Sequence, residues 1–347
     1  MFKAVKQIGI FDEGNRLRKL SKLGDPLEKL EHAINWRMFE NILTRVFAKE
    51  PRGAGGRPPY SYLLLFKILI LQRLFNISDD QAEYQINDRV SFMRFLDLSL
   101  GETVPDAKTI WLFRDTLVKA DVMRELFDVF GRQLEMQGII THSGSIVDAT
   151  FVEAPRQRNT REENQQIKEG SMPEDWEKPE NIHKLRQKDT DARWTKKNNE
   201  RHYGYKDHVK ADAESKLITD YEVTNAATHD SQALIDLLDE KDKVLYADSA
   251  YSGQPLADQI PEGIENQIHA KGYRNKPLSD EQKAENKRKS RIRVRIEHIF
   301  GHMTGAMHGI NVRSIGIARA KFNIGLTNLI YNLCRYEILS RKQSIPA

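Results

Sequence analysis

The sequence predicts an α/β protein in which a mixed sheet flanked by helices follows an all-helical N-terminal domain. From Tyr60 to about Leu134, apolar residues recur every three or four positions, as they do along one face of a helix. At residue 144 the pattern changes to alternating, β-branched segments, which is typical of strands. We therefore predict a helical domain over residues 1–140 and an α/β domain over residues 141–347.

The N-terminal domain begins with residues 1–50, whose periodicity is mixed but helical, and continues through PRGAGGRPPYS at 51–61, a predicted linker. Asp79 and Asp80 suit the first turn of a later helix, and the apolar pattern from Val90 to Phe95 continues it. Between linker and Asp79, one helix carries a row of side chains suited to line a core, namely Leu64, Leu65, Ile68, Leu71 and Leu74.

A further helix, DAKTIWLFRDTLVK, opens at Pro105 and Asp106. Together with the preceding helix and turn it could form a helix-turn-helix, the arrangement that places a helix in the major groove of DNA. The side chains presented outward would then be Lys108, Thr109, Trp111 and Arg114. The alternative is a plain helical packing module.

Strands and helices alternate after residue 144. GSIVDATFVEA is a predicted strand, and residues 155–200, which are polar with few apolar anchors, are predicted to be a long loop or insertion. HYGYKDHVKADAESKLITDYEVTNA predicts a hairpin that turns near Glu214 and Ser215. The remaining predicted elements are the helix HDSQALIDLLDE capped by Asp230 or Ser231, the strand KVLYADSAY, the short strand NQIHA, a basic helix over about 280–303 and an amphipathic helix over 317–341. This is the element order of the ribonuclease H fold.

Composition favours a soluble globular protein, with 39% hydrophobic and 30% charged residues. The most apolar run, YLLLFKILILQRLF, is too short to span a bilayer and is interrupted by Lys67, Gln72 and Arg73. No N-terminal stretch has the pattern of a secretory signal. The single cysteine, Cys334, excludes an internal disulfide and a cysteine-based zinc cluster. These observations predict a cytoplasmic protein with no membrane partner.

Charge is distributed unevenly along the chain. Residues 287–341 contain eleven Lys or Arg and two acidic residues, so this segment has a net charge of +9 and the rest of the chain has −5, for a total of +4. A basic segment on an otherwise acidic protein favours a polyanionic partner, because each neutralised phosphate releases counterions. A solvated helix face is the alternative explanation.

Two aspartates lie within predicted strands. Asp148 is surrounded by Ile146, Val147 and Phe151, and Asp248 lies in KVLYADSAY. Burying a carboxylate is costly unless it is paired, so each is expected to emerge at an edge or to bind something. On neighbouring parallel strands, two such aspartates could share a metal ion, and a two-metal site holds its ions about 3.5–4 Å apart.

Glu297 is the helical counterpart of these aspartates. It is the only acidic residue between Glu285 and Glu337, and arginines surround it in RIRVRIEHIFGHM. Arg293 lies four residues earlier on the same helix face, so an ordinary salt bridge between the two is the simplest interpretation. A lone acid among arginines that hold DNA phosphates is also what a metal-dependent DNA enzyme requires.

Local strings connect these acids to a family. IVDATFVEAP, HYGYKDHV, ADSAYSG and RVRIEHIFG resemble the insertion-sequence-five group of bacterial DDE transposases, and the 99 and 48 residues that separate Asp148, Asp248 and Glu297 match the DDE pattern. RPPYSYLLLFKILILQRLFNISDDQAEYQI and VPDAKTIWLFRDTL resemble the N-terminal domain of that family. The resemblance extends from about residue 30 to residue 340.

One part of the family pattern is missing. Such transposases often carry a Tyr-Arg-Glu-Lys signature around the glutamate. Arg293 and Glu297 match its Arg and Glu, but Ser290 stands at the Tyr position and Thr304 at the Lys position. The missing lysine removes one expected contact to the transposon end, for which Lys287, Arg291 or Arg295 would substitute. It also leaves the activity of this copy open.

The resemblance implies a specific chemistry. Two Mg²⁺ or Mn²⁺ ions would bind Asp148, Asp248 and Glu297, water would cut the element's end, and the freed 3′-hydroxyl would attack target DNA in line. It also implies a homodimer on double-stranded DNA, with terminal inverted repeats and target DNA as substrates, acting at the bacterial nucleoid. The N-terminal domain would bind DNA ends or dimerise. The predicted DNA contacts are Arg293, Lys287, Arg288, Arg291, Arg295, Lys206, Lys108 and Arg114.

Several other residues suggest chemistry but have simpler explanations. His298 and His302 have zinc-ligand spacing, yet Glu297 precedes the pair and no third ligand is evident. Lys206 and His208 could contact DNA near the active site, or could belong to a hairpin surface where Tyr203 and Tyr205 pair. His229 and Asp230 are best explained by a helix cap. Trp194 could stack on an extruded base or anchor its loop.

Two other functions stay open from sequence. One is a ribonuclease H-fold nuclease that cuts without joining strands, which a strand-transfer assay on inverted-repeat DNA would distinguish. The other is a non-catalytic DNA-binding protein derived from a transposase. The presence of all three acids argues against the second, and inverted repeats bordering the gene would favour a live element.

Overall fold

A computed structural model describes residues 12–48, 59–197, 199–274 and 276–343. The chain divides into two compact units, one formed by residues 1–117 and 333–347 and the other by residues 118–332. The predicted linker lies mostly outside the described residues, since only its last three residues, 59–61, are described. The division of function between an N-terminal and a catalytic domain stays a prediction.

The first unit is helical, as predicted. The helices are α1 (Asp12–Leu23), α2 (Pro26–Ala33), α3 (Glu40–Phe47), α4 (Tyr62–Phe75), α5 (Asp79–Asp88), α6 (Val90–Phe95) and α7 (Ala107–Lys119). Three of its later helices, α4, α5 and α7, begin at a side-chain cap, which satisfies backbone N–H groups that the first turn of a helix leaves without partners. Ser61 and Ser78 cap two of them, and the Asp106 carboxylate accepts the backbone N–H of Thr109.

Helix α4 is buried on all sides rather than along one stripe. Residues 65–72 are all buried, including Lys67 and Gln72. Lys67 is accommodated because its ammonium lies 2.8 Å from the Glu31 carboxylate and over the ring of Trp36. A helix that is apolar all round is typical of the centre of a helical unit.

The second unit contains a six-stranded mixed sheet covered by helices, which confirms the predicted fold class, a ribonuclease H-like sheet after a helical region. The long strand β3 lies between β1 on one edge and both β2 and β4 on the other, and all three pairings are antiparallel. Strand β5 then pairs parallel to β1, and β6 parallel to β5. The strands are β1 (Ser145–Glu153), β2 (Arg193–Lys197), β3 (Glu200–Asp212), β4 (Ile218–Asn225), β5 (Val244–Tyr246) and β6 (Glu265–Asn266).

Helices complete this unit. One core cluster joins Val147 of β1 and Leu245 of β5 to Leu234, Leu237 and Tyr251 on one side of the sheet. Of the described helices, none has the length and apolar character that a bilayer crossing needs. The helices are α8 (Met123–Met136), α9 (Arg161–Lys168), α10 (Glu174–Glu177), α11 (Ile182–Leu185), α12 (Leu234–Leu237), α13 (Gln254–Ala257), α14 (Asp280–Gly305) and, up to residue 332, α15 (Ile317–Gln343).

The predicted loop over residues 155–200 is wrong in part, because the segment contains α9, α10, α11 and β2. Thr160 and Glu163 form a capping box that starts α9. Trp176 has no exposed surface and donates its indole N–H to Glu163 at 2.7 Å. One aromatic anchor and one cap thus order a segment whose composition is polar.

Two predicted elements are shorter than expected. The helix over HDSQALIDLLDE is a 3-10 turn at Asp230–Gln232 followed by the single turn of α12. Its cap is the His229 side chain, which accepts the backbone N–H of Ser231, rather than Asp230 or Ser231. The strand KVLYADSAY ends at Tyr246, so Asp248 follows the strand instead of lying within it.

Candidate active site

Parallel pairing of β1 with β5 brings two of the predicted acids together. Ser145 is opposite Leu245 and Ile146 is opposite Tyr246, so Asp148 and Asp248 each stand two residues beyond the last paired position. The two strands run in the same direction, so Asp148 inside β1 stands level with Asp248 just after β5, and the charge of Asp248 acts on Asp148. Asp248 caps the next 3-10 turn, since its carboxylate accepts the backbone N–H of Ala250 at 2.7 Å.

Burial dominates the electrostatics of Asp148. Its side chain is 18% exposed, and its carboxylate accepts the backbone N–H of Ala149 at 2.8 Å. Burial raises the pKa of Asp148 to about 6, and the negative charge of Asp248 adds to the increase, while Arg293 and Lys197 oppose it. A desolvated carboxylate next to another carboxylate is a place where a cation is favoured.

Glu297 reaches the same region from helix α14. Ser279 and Gln282 form a capping box at the start of this helix, which packs against β1 and β5. The buried face of α14 is formed by Ile296, Ile299 and Met303. Glu297 lies outside this face, and its side chain is 53% exposed.

Arg293 connects Glu297 to Asp148. Its Nη1 donates to Asp148 Oδ2 and its Nη2 donates to Glu297 Oε1, both at 2.9 Å. The predicted salt bridge between Arg293 and Glu297 is therefore present, but the guanidinium also binds the strand aspartate. Within the described residues, no three carboxylate, imidazole or thiol side chains converge closely enough to hold a metal ion. The three acids share one neighbourhood, with Asp148 and Glu297 joined through a guanidinium.

Two further residues of this site were not predicted. The Tyr251 side chain is 1% exposed, its hydroxyl has no hydrogen-bond partner among the described residues, and its pKa is raised by burial and by the charges of Asp148, Asp230 and Asp248. His269 follows β6, and its backbone N–H donates to the carbonyl of Ala247. Burial lowers the pKa of His269, as do the charges of Arg293 and Lys289. Tyr251 lies in the quoted string ADSAYSG, whereas nothing in NQIHA distinguished His269.

Lys206 lies inside the unit rather than on a hairpin surface. Its ammonium donates to Asp230 Oδ1 at 2.7 Å and to the carbonyl of Thr228 at 2.6 Å. His208 has no exposed surface, and burial lowers its pKa to about 4. The suggested hairpin surface is also wrong, because Tyr203 and Tyr205 are both buried and both hydroxyls donate to Asp189. Lys206 and His208 are buried because they lie on β3, an interior strand that is hydrogen-bonded to neighbouring strands along both edges.

The predicted DNA contacts on α14 are differently placed. Lys287, Arg288 and Arg291 are exposed, and Arg288 forms a surface ion pair with Glu285 at 2.7 Å. Arg295 is half-buried and donates to the carbonyl of Ala213. The exposed face of α14 therefore presents several cations, while Arg293 and Arg295 serve contacts within the unit.

In the helical unit, Lys108 and Trp111 point outward as predicted, and Trp111 is 51% exposed. Arg114 is instead engaged with Asp79, to which it donates two hydrogen bonds of 2.8 and 2.6 Å. A role of Lys108 and Arg114 in DNA binding stays a prediction.

Ser290 and Thr304 stand where the family signature has Tyr and Lys, and each donates a hydrogen bond to the backbone of its own helix. Ser290 Oγ donates to the carbonyl of Asn286 and Thr304 Oγ to that of Phe300, each one helical turn earlier. His298 Nδ1 lies 2.8 Å from the Lys216 ammonium, and His302 packs edge-on against Tyr331.

Two aspartates side by side in a ribonuclease H-like sheet, with a helix nearby that carries a glutamate and arginines, are the elements that the sequence predicts for a phosphoryl-transfer enzyme acting on a polyanion. Comparison with known families specifies the class. A family model described as "Transposase DDE domain" matches residues 140–333, which is more than half of the chain. The chain belongs to the DDE transposase family, and the predicted recognition is confirmed.

A second model, described as "Transposase domain (DUF772)", matches residues 15–116, within the helical unit. Among solved structures, the chain is similar to one titled "Cryo-EM structure of piggyBac transposase synaptic complex with hairpin DNA". The two chains share 12% sequence identity over 95% of this chain and 79% of that one, with a TM-score of 0.46.

Family membership confirms the predicted function and enzyme class: this is a DNA transposase, an enzyme that cleaves and joins DNA. DNA is its partner, and the family depends on divalent metal ions.

Proposed function

We propose that Asp148, Asp248 and Glu297 are the catalytic carboxylates of this transposase and that they hold two divalent ions, Mg²⁺ or Mn²⁺. The observation that carries the proposal is the level placement of Asp148 and Asp248 on paired parallel strands, with Glu297 linked to Asp148 through one guanidinium. Three acids separated by 99 and 48 residues have no local reason to meet in this way.

The donor set fits such ions. Mg²⁺ and Mn²⁺ prefer oxygen ligands, and the site offers carboxylates at two rigid positions and one helical position. Asp148 is buried beside a like charge, and the cation that now balances it is the Arg293 guanidinium. When bound, divalent ions stabilise the charge that develops on the attacking and leaving oxygens of an in-line displacement.

Residues of the chain hold the proposed catalytic carboxylates in position and would bind the DNA backbone. Asp148 and Asp248 are held in place by backbone N–H donors of Ala149 and Ala250, so their orientation does not depend on the substrate. We infer that Arg293 moves from the carboxylates to a DNA phosphate, where its planar guanidinium binds two oxygens at once. The exposed cations Lys287, Arg288 and Arg291 would hold the flanking DNA backbone.

The proposed reaction begins with hydrolysis at terminal inverted repeats. The freed 3′-hydroxyl then attacks target DNA without a covalent enzyme intermediate. We propose that a homodimer pairs the two ends and that the enzyme acts on the bacterial nucleoid in the cytoplasm. Lys108, Arg114, Lys206 and Arg295 remain proposed DNA contacts, although Arg114, Lys206 and Arg295 would first have to leave their present partners.

Substitution of the acids tests the proposal. Asp148→Asn, Asp248→Asn and Glu297→Gln should each lower Mg²⁺-dependent cleavage of DNA bearing the element's ends by roughly a thousandfold, because metal stabilisation of the transition state is worth several kcal/mol. DNA affinity, measured by fluorescence anisotropy, should stay within about twofold. Glu285→Gln is the matched control, because Glu285 lies on the same helix and forms ion pairs with the exposed Arg288 and the largely buried Lys289.

Full cleavage by any one acid variant would remove that residue from the site. The same assay with labelled target DNA separates two activities. Joined products indicate strand transfer, whereas cleavage without joining would leave a nuclease of the same fold.

A further inference from the structure

Tyr251 has a buried hydroxyl group that forms no hydrogen bond with any described residue. The residue closes the 3-10 turn Ser249–Tyr251, and its backbone N–H donates to the Asp248 carbonyl at 3.2 Å. A buried hydroxyl without a partner destabilises the fold, because it gives up hydrogen bonds to water and gains none in return. A group of this kind in a folded protein is a candidate for binding a ligand or for taking part in a reaction.

Packing explains the ring of Tyr251 but not its hydroxyl. The ring belongs to an apolar cluster formed with Leu234, Leu237 and Leu245. Phenylalanine has the same ring and would fill the same place without burying an oxygen atom. The hydroxyl therefore has a role other than packing.

The same cluster places Tyr251 beside both proposed catalytic aspartates. It includes Val147 and Ala247, which directly precede Asp148 and Asp248 in the chain. Burial raises the pKa of Tyr251, and the charges of the two aspartates add to the increase. The hydroxyl thus keeps its proton and is available as a hydrogen-bond donor near these carboxylates.

Of the carboxylates whose charges act on Tyr251, Asp148 is the one that stands to lose a partner. Asp230 already binds the Lys206 ammonium at 2.7 Å. Asp148 binds the Arg293 guanidinium, a contact that a divalent ion would replace because both are cations on the same carboxylate. Asp148 would then lose a hydrogen-bond donor, and the Tyr251 hydroxyl is a buried donor with no competing partner in the described part of the chain.

We propose that Tyr251 is a positioning residue of the metal site: its hydroxyl donates a hydrogen bond to the Asp148 carboxylate when a divalent ion is bound. This role rests on the proposed function, which assigns the ion to that carboxylate. A carboxylate that binds a metal ion is held in orientation by hydrogen bonds from neighbouring groups, and loss of one such bond weakens metal binding by about ten- to a hundredfold. Tighter binding of the ion then offsets the cost of the buried hydroxyl.

Tyr251→Phe in the full-length protein tests this role, because the substitution removes the hydroxyl and keeps the ring. Mn²⁺ binding, followed by electron paramagnetic resonance without DNA, should weaken by about ten- to a hundredfold. The urea midpoint of the metal-free variant should equal or exceed that of wild type, because an unsatisfied hydroxyl has been removed. A hydroxyl that only supports the fold would give the reverse, a lower midpoint with unchanged Mn²⁺ affinity.

Tyr331→Phe is the matched control, because Tyr331 is also buried but its hydroxyl donates to the carbonyl of Lys216 at 2.8 Å. This control should have a lower urea midpoint and the Mn²⁺ affinity of wild type. An unchanged Mn²⁺ affinity of Tyr251→Phe, or a lower urea midpoint, would overturn the proposed role of Tyr251.

Asp148→Asn in the same titration separates this role from the catalytic proposal. If Asp148→Asn weakens Mn²⁺ binding and Tyr251→Phe does not, only the role of Tyr251 fails. Undiminished Mn²⁺ binding by Asp148→Asn would instead overturn the metal site itself, and the role of Tyr251 with it.

Discussion

Asp207 lies in the middle of β3 with no exposed surface, and it has a single hydrogen-bond donor among the described side chains, the Asn328 amide at 3.1 Å. Its Oδ2 and the Asn328 Oδ1 have no partners among the described residues. Burial raises the pKa of Asp207 to about 7, and the hydrogen bond from Asn328 opposes this only weakly. The uncharged carboxyl is therefore the form that this position favours.

A pH-dependent stability follows. The folded protein holds a proton on Asp207 between the unfolded pKa near 3.8 and the folded value near 7, so the free energy of unfolding should fall as pH rises through this window and level off above it. Asp207→Asn should remove the part of the dependence that Asp207 contributes, leaving the part that comes from the raised pKa of Asp148. It should also stabilise the protein by a few kcal/mol at pH 8, because the amide is neutral at every pH. Urea unfolding at pH 5 and pH 8 measures both effects.

Asp175→Asn, an exposed site in the insertion, serves as the control and should leave the pH profile close to that of wild type, because solvent screens its ion pair with Lys178. A wild-type protein that is equally stable at pH 5 and pH 8 would contradict this account of Asp207.

Arg293 illustrates what spacing can and cannot indicate at this scale. Its distance of four residues from Glu297 predicted a helical salt bridge, and the bridge is present. The second contact, with Asp148, joins residues 145 positions apart and has no sequence signal. Arginine suits this position because its two Nη atoms donate from one rigid plane, whereas lysine would have to donate to both carboxylates from a single nitrogen.

At the scale of elements, Gly204 permits the close approach of β3 to the end of β1. Its φ is +146°, and a Cβ placed there would overlap the backbone carbonyl of Val152 and lie 2.7 Å from the amide nitrogen of Ala154. The neighbouring atoms are backbone atoms of the sheet itself, so they cannot move aside without breaking the ladder.

Gly204→Ala should therefore lower the free energy of unfolding by roughly 2–4 kcal/mol, from backbone strain and overpacking together. The comparison is Gly131→Ala within α8, where the new methyl group would meet nothing within 4 Å. This control should be neutral or stabilising by up to about 1 kcal/mol, because alanine favours the helix interior. Urea midpoints of the two variants provide the test, and equal midpoints would show that the β1–β3 contact tolerates a side chain.

The insertion shows why an element can be missed. Its capping box, Thr160 with Glu163, was visible in the sequence, but the apolar residues that would mark a helix are few. Trp176 lies outside α9 and supplies the buried apolar side chain that this helix lacks. A 3.6-residue period within one helix cannot indicate a contact with a separate segment. Conversely, α7 and α14 have local signals that agree with one another, and each was predicted close to its observed bounds.

For the whole molecule, the charge asymmetry of +9 in residues 287–341 against −5 elsewhere is the main electrostatic feature. Within this segment, α14 carries three exposed cations close together, Lys287, Arg288 and Arg291. DNA affinity should consequently fall steeply with salt, and Lys287→Gln with Arg291→Gln should lower the slope of log K against log salt by about 2, one for each lost phosphate contact.

Lys178→Gln is the corresponding control, because Lys178 is an exposed cation outside the basic segment and already pairs with Asp175. Its slope should match that of wild type. A salt-independent affinity, or equal slopes for all three proteins, would exclude α14 as a DNA-binding surface.

The chain alone was enough to predict the helical first unit, the main strands, the basic helix and the family, because caps, periodicity and short strings are encoded within a few neighbouring residues. The contacts of those residues depend on tertiary packing. Parallel pairing of β1 with β5 set Asp148 level with Asp248, and packing of α14 inserted Arg293 between Asp148 and Glu297. Lys206 was expected at the surface, but it pairs with Asp230 because β3 is buried. Contacts of this kind join residues far apart in the chain, and their energies depend on burial that no local pattern reports.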